Sequence, residues 1–370
     1  MTKKKRVCHI STVHGAFDGR IFYKQCVYLA KEGFDVSYIV QHDKNEEVSN
    51  VKIRRLPKSR GRFHRFFVLG FLAYFKAIGA RAKIVHFHDP ELIFVGIGLR
   101  LIGKKVIYDN HELVYKQIEG KSWVGKSGLR KMVAKFYQFF EMLGVSWFSA
   151  IVLAEDGYKD YFESRYKRKI KKIKYIRNYP ILDLIQPRNQ GSESKVVRLF
   201  YAGGLLRVRG IKEVCEAVED ISADVELILL GRWQNEEYKN ECLEGKGRVK
   251  FLGEIPLKEV YPIMKTADIG ICTLYPVENH LTSNPVKVYE YMACGLPMII
   301  SNFPSWMEQF KDYSVFVDPT SVEEIKEKIQ WSVSNLEELR ERGRKGSKIV
   351  REKYSWEAES KRLVAIYNDL

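Results

Sequence analysis

Apolar and polar positions follow two rhythms that alternate from one end of this chain to the other. Short apolar runs, many closed by glycine, aspartate or asparagine, are separated by longer stretches in which apolar residues return every third or fourth position. The first pattern predicts buried strands and the second amphipathic helices. Strands are expected at residues 6–11, 36–40, 51–56, 84–88, 106–108, 150–153 and 175–177, with helices at 20–31, 63–81, 92–102 and 129–148. A run crowded with Pro, Asn, Gln, Gly and Ser at 186–195 reads as a linker. The pattern then restarts, with strands at 197–202, 226–230, 249–252, 269–272, 298–300 and 315–317 and a helix at 211–218. Such alternation builds parallel sheets covered on both faces. Two series of it predict an α/β protein of two Rossmann-like domains, about 1–188 and 194–354. Their strand ends would face a central cleft, where ligands of such sheets bind.

At 370 residues the chain has room for two cores. Its six cysteines form no C-x-x-C pair and sit mostly within apolar runs, so they read as core residues in a reducing compartment. Lys3, Lys4, Lys5 and Arg6 lead directly into the first strand without a secretory h-region, and the longest apolar stretch, 66–75, is about half a membrane span. A cytoplasmic protein that does not cross a bilayer is expected. Charge then changes the picture. Residues 1–190 carry 37 basic and 17 acidic side chains, a net +20, whereas the rest carries 25 and 29, a net −4. Nucleic acid, an anionic membrane surface or phosphorylated substrates would each match such an excess.

Five segments at strand ends could carry chemistry. The first, His14-Gly15-Ala16-Phe17-Asp18-Gly19-Arg20, leaves a strand and opens a helix, where Gly15 lets a ligand approach the backbone and the helix N-terminus favours an anion. In the second, His86 and His88 share one strand face before Asp89. A metal pair is one reading, and a buried, hydrogen-bonded His86 with His88 and Asp89 lining the cleft is the plainer one. The third, Asp109-Asn110-His111, places a hydrogen-bonding imidazole for a hydroxyl or phosphate, or simply caps a helix. In the fourth, Gly203 and Gly204 precede Arg207 and Arg209, so backbone amides and a guanidinium can clamp a diphosphate. In the fifth, Glu290 lies early in an apolar helix, three residues after Lys287. It needs a hydrogen-bonding partner, such as the two hydroxyls of a ribose or Lys287 itself.

The stretch Pro285-Val286-Lys287-Val288-Tyr289-Glu290-Tyr291-Met292-Ala293-Cys294-Gly295-Leu296-Pro297 resembles the P-x-K-x-x-E-Y-M-A-x-G-x-P signature of the retaining glycosyltransferases of family 4, which have the GT-B fold. His86–Glu91, Val106–Glu112 and the first loop with Arg20-Ile21-Phe22-Tyr23-Lys24 resemble motifs of one branch of that family, and Asn178 an asparagine that precedes its domain crossover. Tyr354-Ser355-Trp356-Glu357 resembles the start of its C-terminal helix, about 355–370, which returns to the N-terminal domain. In this sequence Thr282 stands where many members have a first glutamate, and Gly204 and Arg209 stand where many have arginine and lysine.

The resemblance implies a nucleoside-diphosphate sugar, UDP- or GDP-linked, as donor, with no tightly bound cofactor and no metal. It implies transfer with retention through an oxocarbenium-like transition state. Arg209 and Lys287 would stabilise the leaving diphosphate, and His111 would hold the transferred sugar. Gly15, Gly203, Gly204 and Glu290 would bind the donor, and Asp18, His88 and Asp89 would line the acceptor side. The basic charge, mixed with aromatics over 60–83 and 121–147, suits peripheral docking on the anionic inner face of the cytoplasmic membrane, and hence a lipid-linked or polysaccharide glycan acceptor. The rivals are a nucleotide-sugar epimerase and a nucleic-acid-binding protein; a dinucleotide oxidoreductase would need a G-x-G-x-x-G after a strand, which is missing.

Overall fold

The computed structural model describes residues 4–110, 127–155, 158–166, 173–188, 195–281 and 283–370. His111 and Thr282 thus lie outside the described residues, as do positions 121–126 of the basic and aromatic stretch 121–147. The chain divides into two compact units, Met1–Asn178 with Ala358–Leu370, and Tyr179–Glu357.

The first unit is built on eight strands: β1 (Arg6–Gly15), β2 (Asp35–Gln41), β3 (Glu46–Val48), β4 (Val51–Leu56), β5 (Ile84–Phe87), β6 (Lys105–Asn110), β7 (Ala150–Leu153) and β8 (Ile173–Tyr175). They lie in the order β3-β4-β2-β1-β5-β6-β7-β8, and only β3 is antiparallel to its neighbour. Two of its helices begin in π geometry, Gly19–Cys26 before Val27–Lys31 and His64–Leu69 before Gly70–Gly79. The second of these turns Leu69, Ala73 and Ala77 inward and leaves Phe63, Phe67, Phe71 and Phe75 exposed.

The second unit has six parallel strands: β9 (Val197–Ala202), β10 (Val225–Leu230), β11 (Val249–Phe251), β12 (Ile269–Cys272), β13 (Met298–Ser301) and β14 (Ser314–Val317), in the order β11-β10-β9-β12-β13-β14. Phe200 packs into one apolar cluster and its neighbours Leu199 and Tyr201 into another, so both faces of the sheet are covered. This double burial is why the strands read as unbroken apolar runs.

The division falls at Asn178, ahead of the polar run 186–195 expected as a linker. Tyr179, Leu182, Leu184 and Ile185 pack with Tyr289, Tyr291 and Trp306 in the second unit's core. The last helix, Trp356–Asn368, joins the first unit from Ala358 onward.

Candidate functional site

In the second unit, β9 runs into Gly203 and Gly204, and a 3-10 turn, Arg207–Arg209, leads to the helix Ile211–Glu219. Gly203 has φ +144°, a conformation open to glycine. Its N–H is bonded to Leu230 O at 2.9 Å. The expected pair of free amides is therefore not present: Gly203 provides close approach rather than a donor, because its amide completes the turn beside β10. The loop is pinned by the Tyr201 hydroxyl, which donates to Gly204 O at 2.9 Å.

Arg207 turns away, paired with Glu241 and lying over the Tyr238 ring at 4.7 Å. Arg209 does not. Its Nε and Lys287 Nζ are both sealed from solvent and have no hydrogen-bond partner among the described residues. Lys287, in the first turn of the helix Val286–Cys294, sits with Nζ 3.5 Å from the centroid of the Tyr201 ring. Burial brings its pKa down to about 7, and the nearby Arg209 charge pushes the same way, against Cys272 and Glu290. Two cationic groups whose buried nitrogens have no hydrogen-bond partner form a site suited to further negative charge.

Lys287 and Glu290 make no salt bridge with each other among the described residues. Glu290 Oε1 instead accepts from the Tyr261 hydroxyl at 2.9 Å. Burial, and then the carboxylate itself, push the Tyr261 pKa up, so the phenol stays protonated as donor. Tyr261 lies on the helix Leu257–Met264, and no spacing in the sequence links it to Glu290.

Gly231 (φ +133°) backs the same loop: a Cβ there would lie 1.9 Å from Gly203 O. Gly231→Ala is expected to cost roughly 1–3 kcal/mol in thermal unfolding and to displace the Gly203 turn. An unchanged midpoint would show that the turn can yield.

The first unit collects the other singled-out residues, for different reasons than expected. The β1–β5 register sets His9 opposite His86, and two-residue alternation carries His88 to the same face; the β5–β6 register brings Asp109 alongside. All four are buried. His88 Nδ1 lies 3.4 Å and His86 Nε2 3.6 Å from Asp109 Oδ2. His88 Nε2 bonds His9 Nδ1 at 3.0 Å, His9 Nε2 bonds the Tyr367 hydroxyl at 3.0 Å, and that hydroxyl bonds His86 Nδ1 at 2.6 Å. The result is a closed ring, Asp109–His88–His9–Tyr367–His86. Its inner legs are full hydrogen bonds and its two legs to Asp109 are longer than that. Burial, and then His86, keep the His9 pKa well below the ordinary histidine value.

His9, His86 and His88 bring ring nitrogens within 4.8 Å of one another, close enough to suggest a metal site. A cation shared by His9 and His88 would have to break the bond between them. His86, expected to be buried, and His88, expected beside a ligand cleft, are both buried and hydrogen-bonded, because one strand face carries both.

Arg20 Nη2 reaches Asp109 Oδ1 at 3.0 Å and Ile176 O at 2.9 Å, and Gln25 Nε2 donates to Asp109 Oδ2 at 2.6 Å. Lys24 Nζ donates to Asn178 Oδ1 at 2.6 Å. The helix N-terminus after Gly15, expected to favour a phosphate, is already capped. Asp18 Oδ1 accepts from Arg20 N at 2.9 Å and Ile21 N at 2.8 Å. Gly15 itself has open space where a Cβ would stand. Asp89 Oδ2 accepts from Ser11 Oγ at 2.9 Å and from Thr12 Oγ1 and Val13 N, each at 3.2 Å. Its carboxylate thus organises the end of β1 instead of standing free at the strand end. His14, half-buried, stands 3.4 Å from Asp18 and 3.6 Å from Asp89.

The family model for glycosyl transferases group 1 matches residues 185–349, and that for Glycosyltransferase Family 4 matches residues 19–179. No curated protein matches the chain by sequence. Among solved structures, sucrose-phosphate synthase from Thermosynechococcus elongatus superposes with a TM-score of 0.75 at 18% identity over 99% of each chain. A glycosyltransferase from Rickettsia africae gives 0.73 at 14% identity over 99% of this chain and 98% of that one. Anabaena HepE, solved with UDP and glucose, gives 0.70 at 14% identity over 99% of this chain and all of that one. At such identities the superpositions speak for the fold, and the two family models together span nearly the whole chain. The chain belongs to the group 1, family 4 glycosyltransferases of GT-B fold.

Proposed function

We propose that the protein transfers a sugar from a nucleoside-diphosphate sugar, with retention and without a metal, to a lipid-linked or polysaccharide glycan acceptor at the inner face of the cytoplasmic membrane. One observation carries the donor half: Arg209 Nε and Lys287 Nζ are sealed from solvent and lack a hydrogen-bond partner beside the glycine turn. A diphosphate supplies the missing charge. In retaining transfer the bond from the anomeric carbon to the diphosphate oxygen breaks as the acceptor oxygen bonds the same face, and the diphosphate takes the acceptor's proton. What the protein must then supply is positive charge at the leaving oxygen. Arg209 and Lys287 do this where other enzymes use a metal ion. Gly203 gives the diphosphate room, and Gly204 faces it from the same turn. Glu290, held by Tyr261, takes the ribose hydroxyls. Gly15, with open space where a Cβ would stand, gives a ligand access to the backbone at the end of β1, and His111 holds the transferred sugar. Asp18, His88 and Asp89 act on the acceptor side by shaping the strand ends. The UDP complexes of fold relatives such as HepE are consistent with this donor class.

Thermal unfolding with UDP, GDP, ADP, CMP and NAD tests this directly. A ligand at about 100 times its Kd adds about 2.7 kcal/mol, a visible shift in midpoint. One nucleoside diphosphate is expected to shift the midpoint, and Glu290→Ala is expected to weaken its binding about tenfold or more through loss of charge-assisted bonds. A shift with NAD alone would sink the proposal.

A further inference from the structure

A groove of about 1100 Å3 opens in the first unit, among the helices Gly70–Gly79, Ile93–Leu101 and Ser127–Trp147. That exceeds the roughly 1,000 Å3 that bounds ordinary small-molecule pockets. Its walls include Phe66, Phe71, Tyr74, Phe94, Phe136 and Phe140, and at one end it meets His88, Asp89 and Asn110 at the carboxyl ends of β5 and β6. Arg62 and Arg65 line it as well, Arg65 being fixed by Glu91 at 2.7 Å.

Its surroundings are apolar where a water-facing helix would be polar. Phe63 is 83% exposed, Phe71 64% and Phe136 62%. Phe63, Phe67, Phe71 and Phe75 recur every fourth residue, opposite the buried Leu69, Ala73 and Ala77. Soluble surfaces rarely keep such a stripe without a partner. Its charged lining is Arg62 and Arg65 with Asp89 and Glu91, and residues 48–88, which include the stripe, contain ten Lys and Arg and not one Asp or Glu. An aromatic groove with two arginines in its wall, running to the ligand end of a parallel sheet, matches a molecule with a long hydrocarbon chain and an anionic head.

We infer that this groove binds the hydrocarbon chain of the acceptor, a lipid phosphate whose headgroup meets Arg62 and Arg65 and whose sugar-accepting end lies toward His88 and Asn110. The inference rests on the transferase proposal for the acceptor role, while the groove's own chemistry selects the chain and the phosphate. The exposed phenylalanine stripe beside it contacts the acyl region from which the lipid enters.

Calorimetric titration of the full chain with farnesyl phosphate, farnesol and inorganic phosphate tests it. Farnesyl phosphate is expected to bind at least about tenfold more tightly than either partial ligand, since each supplies one half of the recognition. Val133→Trp, which fills the groove, is expected to weaken farnesyl phosphate about tenfold or more. Phe136→Ser, at an exposed position where folding is unaffected, is expected to weaken it roughly fivefold through lost apolar contact. Arg62→Gln is expected to bring farnesyl phosphate toward farnesol. Equal affinity for farnesol and farnesyl phosphate, no binding, or indifference to Val133→Trp would each overturn the inference. So would a dimer that Phe71→Ser separates, because a second copy would then cover the stripe. The nucleoside-diphosphate midpoint shift is read on the same samples. If it persists while farnesyl phosphate fails to bind, the groove inference fails alone; if it is absent, the transferase proposal fails whatever the groove binds.

Discussion

Lys287→Met is expected to lower kcat by about 10²–10³ and, at pH 7 or below, to raise the thermal midpoint. The two effects have one cause. Nζ has been taken out of water without an anion, so the charged form is disfavoured in the folded protein and the pKa falls to about 7 from the ordinary 10.5. Because the folded-state pKa is depressed, the unfolded chain binds the extra proton between these values. The penalty is present in full below about pH 7 and fades as pH rises toward 10.5. Methionine fills the same space and carries no such penalty. The wild-type midpoint should therefore gain on the mutant as pH rises. Donor binding reverses the local balance, since a diphosphate beside Nζ favours the ammonium. Titrations in buffers of different ionisation enthalpy should show proton uptake above about pH 7. The corresponding Kd should rise by up to about tenfold per pH unit there, one proton being linked to binding. If Lys287→Met left both kcat and proton uptake unchanged, the leaving-group role would pass to Arg209 alone.

Asp109→Ala is expected to destabilise the first unit by about 3–5 kcal/mol, the usual cost of stranding a buried charge by removing its partner. Arg20 loses its carboxylate, Gln25 loses its acceptor, and both long legs of the histidine ring end on nothing. The sharper measurement is a double-mutant cycle. Arg20→Met with Asp109→Leu removes both charges at similar volume, and should be less harmful than Asp109→Ala alone. Additive effects in denaturant unfolding would mean that the pair does not act as a unit.

The strands were legible because burial on both faces turns each into an apolar run, as β5 and β13 show. The short edge strand β3 was not, since two of its three residues, Glu46 and Glu47, are charged and leave no apolar run to detect. The π turns share the apolar spacing of an ordinary helix and leave no separate mark. At the candidate donor site, Lys287 and Glu290 stood out because charges rarely interrupt such an apolar helix. Tyr261 did not, because its link to Glu290 depends on how two helices pack. Asp18, Asp89 and Asp109 illustrate a different limit. Strand-end position was readable for each, but not the direction in which its carboxylate turns. One caps a helix, one gathers the end of β1 and one closes a ring. The split at Asn178 was hidden for a related reason: Tyr179–Ile185 carries the apolar residues that matter, while the polar run that follows is what catches the eye.

The first unit is assembled from chain that the ribosome makes at two widely separated times. Met1–Asn178 emerges before Tyr179–Glu357, and Tyr367, which joins His9 to His86, follows only after that whole second unit. Synthesis at about 5–20 residues per second puts roughly 10–40 s between the two pieces. During that interval His9 and His86 lack their phenol, while the uninterrupted segment Tyr179–Glu357 can complete its own core. The first unit is thus completed only after the second has emerged, and the arrival of Tyr367, rather than emergence of the first sheet, sets when its histidine ring can close.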